Sequence, residues 1–296
     1  MAKFANPVRQ AAAVVKRLQG RDGVLKSVGT TRNYQAALTR VAEWVKAEQI
    51  PGSLQSLNCQ QALRYLEERS QSVGQSALNL ERQALQAMFQ HLTHELPLGH
   101  TLPVVKSEQD QALRSRAYKR EQVELVAQAQ QQRNALATEI AYAAGLRAHE
   151  LFTLRRADER VADPRPARTE KFQGRLGLHY TVQGKGGLVR HVTIPLVLAE
   201  RIESLRLDAP RRVTDRGIHY QQYYDLAGGH RWSSSYSAAS TRVLGWSAGA
   251  HGLRHSYAQE RMGELQSAGL SRPEALETVS QELGHFRPEI TEVYLR

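Results

Sequence analysis

Apolar residues in the first third of the chain recur at helical spacing, interrupted by turn residues. Val8 to Leu18 forms one such stretch. In the next, Thr30-Thr31 stands where a cap would sit, ahead of a helix through Ala47 in which Tyr34, Ala37, Leu38, Val41, Trp44 and Val45 share a face. Pro51-Gly52-Ser53 ends it, and Asn58 is placed to cap a helix carrying Ala62, Leu63, Tyr65 and Leu66. Ser76 to His91 supplies another, with Leu78, Leu80, Leu85, Met88 and Phe89 on its apolar side. The pattern predicts a compact bundle of four short helices with basic residues on their polar faces.

Glu95 to Pro103 breaks every periodicity with two prolines and a glycine, as an interdomain linker does, and the linker is expected over about 95–112. The predicted division is therefore 1–112 and 113–296. Helical patterning resumes at Lys119 and continues to Ala144; Gly145 suits a stop, and Ala148 to Leu154 a short helix. Between Arg175 and Pro195 the period becomes two: Leu178, Tyr180 and Val182 alternate, Gly184-Lys185-Gly186-Gly187 turns the chain, and Val189 to Ile194 returns, which predicts a β-hairpin. Helices are expected again over Leu196 to Leu205, Ser233 to Leu244, His251 to Ala268, Pro273 to Leu283 and Glu289 to Tyr294. Asp208 to Arg231 gives no assignable pattern and reads as an irregular loop around Gly228-Gly229. The expected fold class is mainly α with a small antiparallel sheet, a helical bundle followed by a mixed α/β domain.

Composition narrows the function. The chain has 296 residues, 41% of them hydrophobic, enough for two domains with their own cores. No apolar run reaches the roughly 18 residues of a membrane span, and Met1 to Asn6 lacks the apolar core of a signal peptide. Cys59 is the only cysteine, which excludes an internal disulfide and a thiolate zinc cluster. These features predict a cytoplasmic protein. The formal net charge of +11 favours a polyanionic partner without choosing between DNA and RNA.

The candidate chemistry lies in three short strings: Gly145-Leu146-Arg147-Ala148-His149-Glu150, His251-Gly252-Leu253-Arg254-His255, and Leu283-Gly284-His285, followed nine residues on by Tyr294. His251 and Arg254, three apart at the start of an expected helix, share a face and can reach one phosphate. A phenol can attack phosphorus, guanidinium forks bind phosphoryl oxygens, and imidazoles carry protons, so these are the groups for metal-free phosphodiester cleavage. No acidic cluster suited to magnesium is evident, and no cofactor is expected.

The three strings and their order resemble the tyrosine recombinase (phage integrase) family, over roughly Arg116 to Tyr294 and more weakly in the N-terminal bundle. The resemblance implies a core-binding domain followed by a catalytic domain that together clamp double-stranded DNA. It implies Tyr294 as nucleophile, Arg147 and Arg254 on the phosphate, His251 as proton acceptor, and His285 as a hydrogen-bond donor to the phosphate. It also implies Lys185 in the hairpin turn as the acid at the leaving 5′ oxygen, with Lys171 as the fallback, and Glu150 orienting Arg147. His149 and His255 are assigned to packing or phosphate-edge contacts.

By the same resemblance the product is a 3′-phosphotyrosyl linkage, made without metal or ATP, by a homo-tetramer on two DNA sites with DNA-bending accessory proteins as possible helpers. Nucleoid association in the cytoplasm follows. The family usually continues past the nucleophile into a segment docking on a neighbouring protomer, so either that tail is missing from this sequence or assembly uses other surfaces. No arm-site domain is expected ahead of the bundle. The rival readings are a type IB topoisomerase and a non-cutting DNA-binding protein of the same fold.

Overall fold

The computed structural model describes residues 6–20, 24–110, 115–184 and 186–296. The chain divides into two compact units, Met1–Ala112 and Leu113–Arg296.

The first unit contains α1 (Pro7–Gly20), α2 (Val28–Ala47), α3 (Cys59–Ser70) and α4 (Gln75–Met88), the last running into a π-turn over Phe89–Thr93. Ala11, Val14, Val15 and Leu18 of α1 are buried at the spacing of one helix face, and Ala37, Leu38, Val41, Ala42 and Val45 of α2 meet them. Asn58 does cap α3: it accepts from the Gln61 N–H while the Gln61 side chain returns to the Asn58 N–H. The start of α2 differs from the expectation. The helix begins at Val28, ahead of Thr30-Thr31, and the Thr31 hydroxyl donates back to the Ser27 carbonyl from inside the first turn.

Residues 97–110 contain no helix or strand, as their prolines require, yet they are fastened to the bundle. Leu102 is buried, its carbonyl accepts from Arg82, Gln75 donates to the Val105 carbonyl, and the Ser107 hydroxyl donates to the Val73 carbonyl. Side chains of α4 thus supply partners to an extended backbone that has no sheet to join.

The second unit starts with α5 (Arg120–Gln128) and α6 (Gln132–Ala143), two helices where the sequence reads as one stretch. A 3-10 turn over Glu150–Thr153 leads to β1 (Arg155–Arg156), β2 (Leu178–Gln183) and β3 (Val189–Ile194), an antiparallel sheet in that order, with Leu178 opposite Ile194 and Gln183 opposite Val189. After α7 (Leu196–Glu203) comes a second hairpin, β4 (Arg206–Asp215) and β5 (Ile218–Tyr224), where the sequence reads as an irregular loop. The chain closes with α8 (Gly229–Leu244), α9 (Gly252–Ser267), α10 (Arg272–Leu283), α11 (Pro288–Thr291) and a 3-10 turn over Glu292–Leu295. The unit is mainly helical around two small antiparallel sheets.

Helix α9 runs through the middle of this unit. Every residue from Gly252 to Ala258 is buried, so the helix start has no solvent face and whatever polar groups it carries project into the protein. Among the described residues no helix is long and apolar enough to cross a membrane.

Candidate active site

Gly145 ends α6 with φ of 60°, a conformation costly for other residues, and the chain doubles back so that Arg147 faces α9. A Cβ at Gly145 would lie 2.8 Å from the Tyr257 ring, so the close approach also requires glycine. Arg147 donates from Nη1 to Glu150 Oε1 at 2.8 Å, and its own N–H reaches Oε2 at 2.9 Å. Glu150 is fully buried. Burial opposes its ionisation, but Arg190, Arg254 and Arg147 outweigh this and hold its carboxyl well below the usual carboxylate range.

Arg254 is fully buried on α9. Its guanidinium donates to the carbonyls of Gly145 and Leu283, and Nη2 lies 3.1 Å from His285 Nε2. Among the described residues it forms no ion pair with a carboxylate, and burial followed by the Arg147 charge pushes its pKa down to about 9. Because a guanidinium only donates, His285 Nε2 accepts, which puts the imidazole proton on Nδ1, 2.9 Å from the Thr291 hydroxyl. Burial first, then Arg254, Arg147 and Arg190, lowers the His285 pKa to about 3, so the ring is neutral at pH 7.

Tyr294 is buried in the turn after α11, which Pro288 opens as expected. Its ring centroid lies 5.4 Å from that of His251, 4.6 Å from His255 and 5.1 Å from His285, and the Arg254 guanidinium carbon is 5.6 Å from it. Gln259 donates to the Tyr294 carbonyl at 3.1 Å, and Arg272 pairs with Glu292 at 2.8 Å, fixing the turn. His251 has an edge open to solvent; desolvation by the packed rings, then Arg254, His255 and Arg116, lower its pKa to about 4. His255 is buried, with Nδ1 lacking a hydrogen-bond partner, and burial followed by Arg116 lowers it to about 4.

Of the residues singled out in the sequence, Arg254, His251, His285 and Tyr294 come into direct contact around one phenol. Arg147 and Glu150 form an ion pair whose charges act on that group. Lys185 lies outside the described residues. The preceding Gly184 stands beside the site: a Cβ there would be 3.4 Å from Glu150 Oε1 and 3.8 Å from Arg147 Nη1. Lys171 sits in a turn whose next residue, Phe172, donates its N–H to Glu282 on α10. Burial, then Arg190, lowers the Lys171 pKa. His149 stacks on Tyr220 of β5, with 6.2 Å between centroids.

Two cations escape a reading by motif. Arg116 lies close enough to depress both His251 and His255, and it is anchored to the Ala248 carbonyl. Arg190 on β3 is buried against Glu150. The signal for Arg190 lies in the sequence: strand alternation puts it on the same face as Val192 and Ile194, where a cation needs a reason. Among the described residues no group of three or more His, Cys, Asp or Glu side chains is arranged to hold a metal.

No family model and no curated protein matches the sequence. Solved structures match over nearly its whole length. XerH site-specific recombinase, in a post-cleavage complex on a palindromic difH substrate, superposes with a TM-score of 0.60 at 17% identity, covering 98% of this chain and 81% of that one. A lambda integrase dimer bound to a COC′ core site gives 0.60 at 16%, covering 97% and 94%. The integrase of transposon Tn1549, with transposon right end DNA, gives 0.54 at 16%, covering 97% and 94%. The chain shares their fold. That likeness spans both units.

Proposed function

We propose that this protein cuts and rejoins DNA strands at specific sites through a covalent phosphotyrosine. One observation carries the reading: a buried guanidinium, Arg254, with no carboxylate in ion-pair contact among the described residues, packed against the phenol of Tyr294. A buried cation left unpaired is costly unless an anion completes it. An anion on Arg254 would lie beside a nucleophile. The shared fold supports the reading, because the matched recombinase and integrases were solved on DNA, and another lambda integrase structure is a tetramer on a Holliday junction.

In the proposed reaction the Tyr294 oxygen attacks a backbone phosphorus while Arg147 and Arg254 bind the nonbridging oxygens and stabilise the added charge. The phenolic proton passes to His251, which is neutral at pH 7. The bond from phosphorus to the 5′ oxygen breaks, and that oxygen takes a proton from Lys185. The products are a 3′-phosphotyrosyl end and a 5′-hydroxyl. Attack by a 5′-hydroxyl reverses each transfer, so rejoining needs neither ATP nor a metal. His285 must carry its proton on Nε2 to donate to phosphate, the opposite of its state beside Arg254, so phosphate binding and its tautomer are linked. Double-stranded DNA is the proposed partner, with a homo-tetramer on two sites as the working assembly.

Covalent capture of genomic fragments on the protein, followed by sequencing, should recover a short common site. A nicked suicide duplex carrying that site should then give a covalent adduct with the unaltered protein and none with Tyr294→Phe. An adduct that survives Tyr294→Phe would refute the assignment, and its absence from the unaltered protein would favour a non-cutting DNA-binding protein.

A further inference from the structure

Arg190 makes contacts that link the segments of the site. Its side chain is 2% exposed, and Nη2 donates to Glu150 Oε2 at 2.8 Å, so Glu150 is shared between Arg190 and Arg147. Nη1 donates to the Glu282 carbonyl at 2.7 Å, near the end of α10. Its aliphatic stem fills the space over Gly284, where a Cβ would lie 2.7 Å from Arg190 Cδ, and the next residue is His285. The strand bearing Arg190 also descends from the hairpin turn that follows Gly184.

Fold stability alone gives no reason for this arrangement. Buried ion pairs are often replaceable by apolar residues of similar volume at little or no loss of stability. What an apolar side chain could not do is hold one carboxylate in register with a second guanidinium while gripping a helix end. We propose that Arg190 is a positioning residue for strand cleavage: through Glu150 it fixes the fork of Arg147, and through the Glu282 carbonyl and Gly284 it sets the loop that carries His285. This rests on the strand-cleaving reading above.

The experiment uses the suicide duplex recovered by covalent capture, with single-turnover cleavage at saturating DNA measured apart from equilibrium affinity. Arg190→Met should cut about 100-fold more slowly, the scale of a misplacement near 1 Å, with affinity within about two-fold. The double variant Glu150→Gln with Arg190→Met should be slower than either single variant by clearly less than the product of their losses, since the Glu150 contact is shared while the grip on the Glu282 carbonyl belongs to Arg190 alone. The rate ratio of unaltered protein to Arg190→Met should grow as the pH falls, because Glu150 then keeps fewer of the charges that hold it ionised. It is faced by Arg147 and His149 from its own segment, Arg190 from β3, Arg254 from α9 and His285 from the loop after α10.

If Arg190→Met does not fold, Arg190→Lys carries the test. One ammonium reaches Glu150 or the Glu282 carbonyl but cannot fork to both, so its cleavage should fall about 10-fold at unchanged affinity. Unchanged cleavage, a loss confined to affinity, or multiplying losses in the double variant would overturn the inference while Tyr294→Phe still upholds the strand-cleaving reading. No adduct from the unaltered protein would instead overturn that reading.

Discussion

The imidazoles around Tyr294 are neutral at pH 7, with pKa values near 4 for His251 and His255 and near 3 for His285. Their folded pKa values lie below the unfolded value of about 6.5, so between the two the unfolded chain binds more protons. Stability contributed by keeping these rings neutral is complete above about pH 6.5 and is lost as the pH falls toward 4. Each ring contributes a slope of at most about 1.4 kcal/mol per pH unit, less for His251 with its open edge. Glu150 is held charged instead of neutral, but the sign is the same and its loss begins at lower pH. Its depressed pKa stabilises the fold fully above the ordinary carboxylate range, and that contribution starts to be lost only below about pH 4.5. Thermal unfolding measured across the range should show a midpoint falling steadily below pH 6.5, and His285→Gln should flatten the curve; a flat profile in the unaltered protein would contradict the packing of His255 and His285. At this scale the side chains gathered around Tyr294 were legible because each stands in a short string of defined spacing. Arg190 and Arg116 stand in none, and their roles follow from tertiary neighbours.

Among the elements, the joint between α6 and the turn at Glu150 is the most constrained. Gly145→Ala must accept φ of 60° and also displace Tyr257 and Leu283, whose atoms lie 2.8 and 3.0 Å from the new carbon. The expected cost is about 2 kcal/mol or more from strain and overpacking, visible in denaturant unfolding, with cleavage reduced further because Arg147 follows two residues later. An unfolding midpoint equal to that of the unaltered protein would argue against so tight a joint. The β2–β3 hairpin was legible from the alternation of apolar Tyr180 and Val182, both buried, although Leu178 of the same series is exposed and Thr181 between them is buried. The β4–β5 hairpin was not, for reasons visible in its residues. Most of β4 is exposed, Pro210 interrupts it, and β5 turns Gln222 inward, where its amide donates to the Leu226 carbonyl. Its turn has φ of 50° at Arg216 and 81° at Gly217, and arginine is a poor flag for a left-handed position.

For the molecule as a whole, the excess of cations predicts how DNA binding responds to salt. The net charge is +11, and each phosphate contact releases counterions. If the protein makes six to ten such contacts, its DNA affinity should fall about 10³- to 10⁵-fold between 50 and 200 mM salt. A titration in which affinity barely changes would show that the charge lies away from the bound DNA. The prolines after Glu95 lie shortly ahead of the boundary between the two compact units. The attachment of 97–110 to the bundle was not legible, because it depends on Gln75, Arg82 and Gln86 reaching backbone groups up to some thirty residues away in sequence. A segment with its polar groups satisfied in this way resists proteases better than its proline content implies.

The unmatched charge of Arg254 also bears on how the protein behaves in the test tube. A shut-in guanidinium whose hydrogen bonds, among the described residues, go to two carbonyls and an imidazole should attract a compact oxyanion. Sulfate or inorganic phosphate in a buffer would settle the fold and at the same time compete for the seat proposed for a DNA phosphate. Conditions chosen for a long shelf life are therefore poor conditions for an assay.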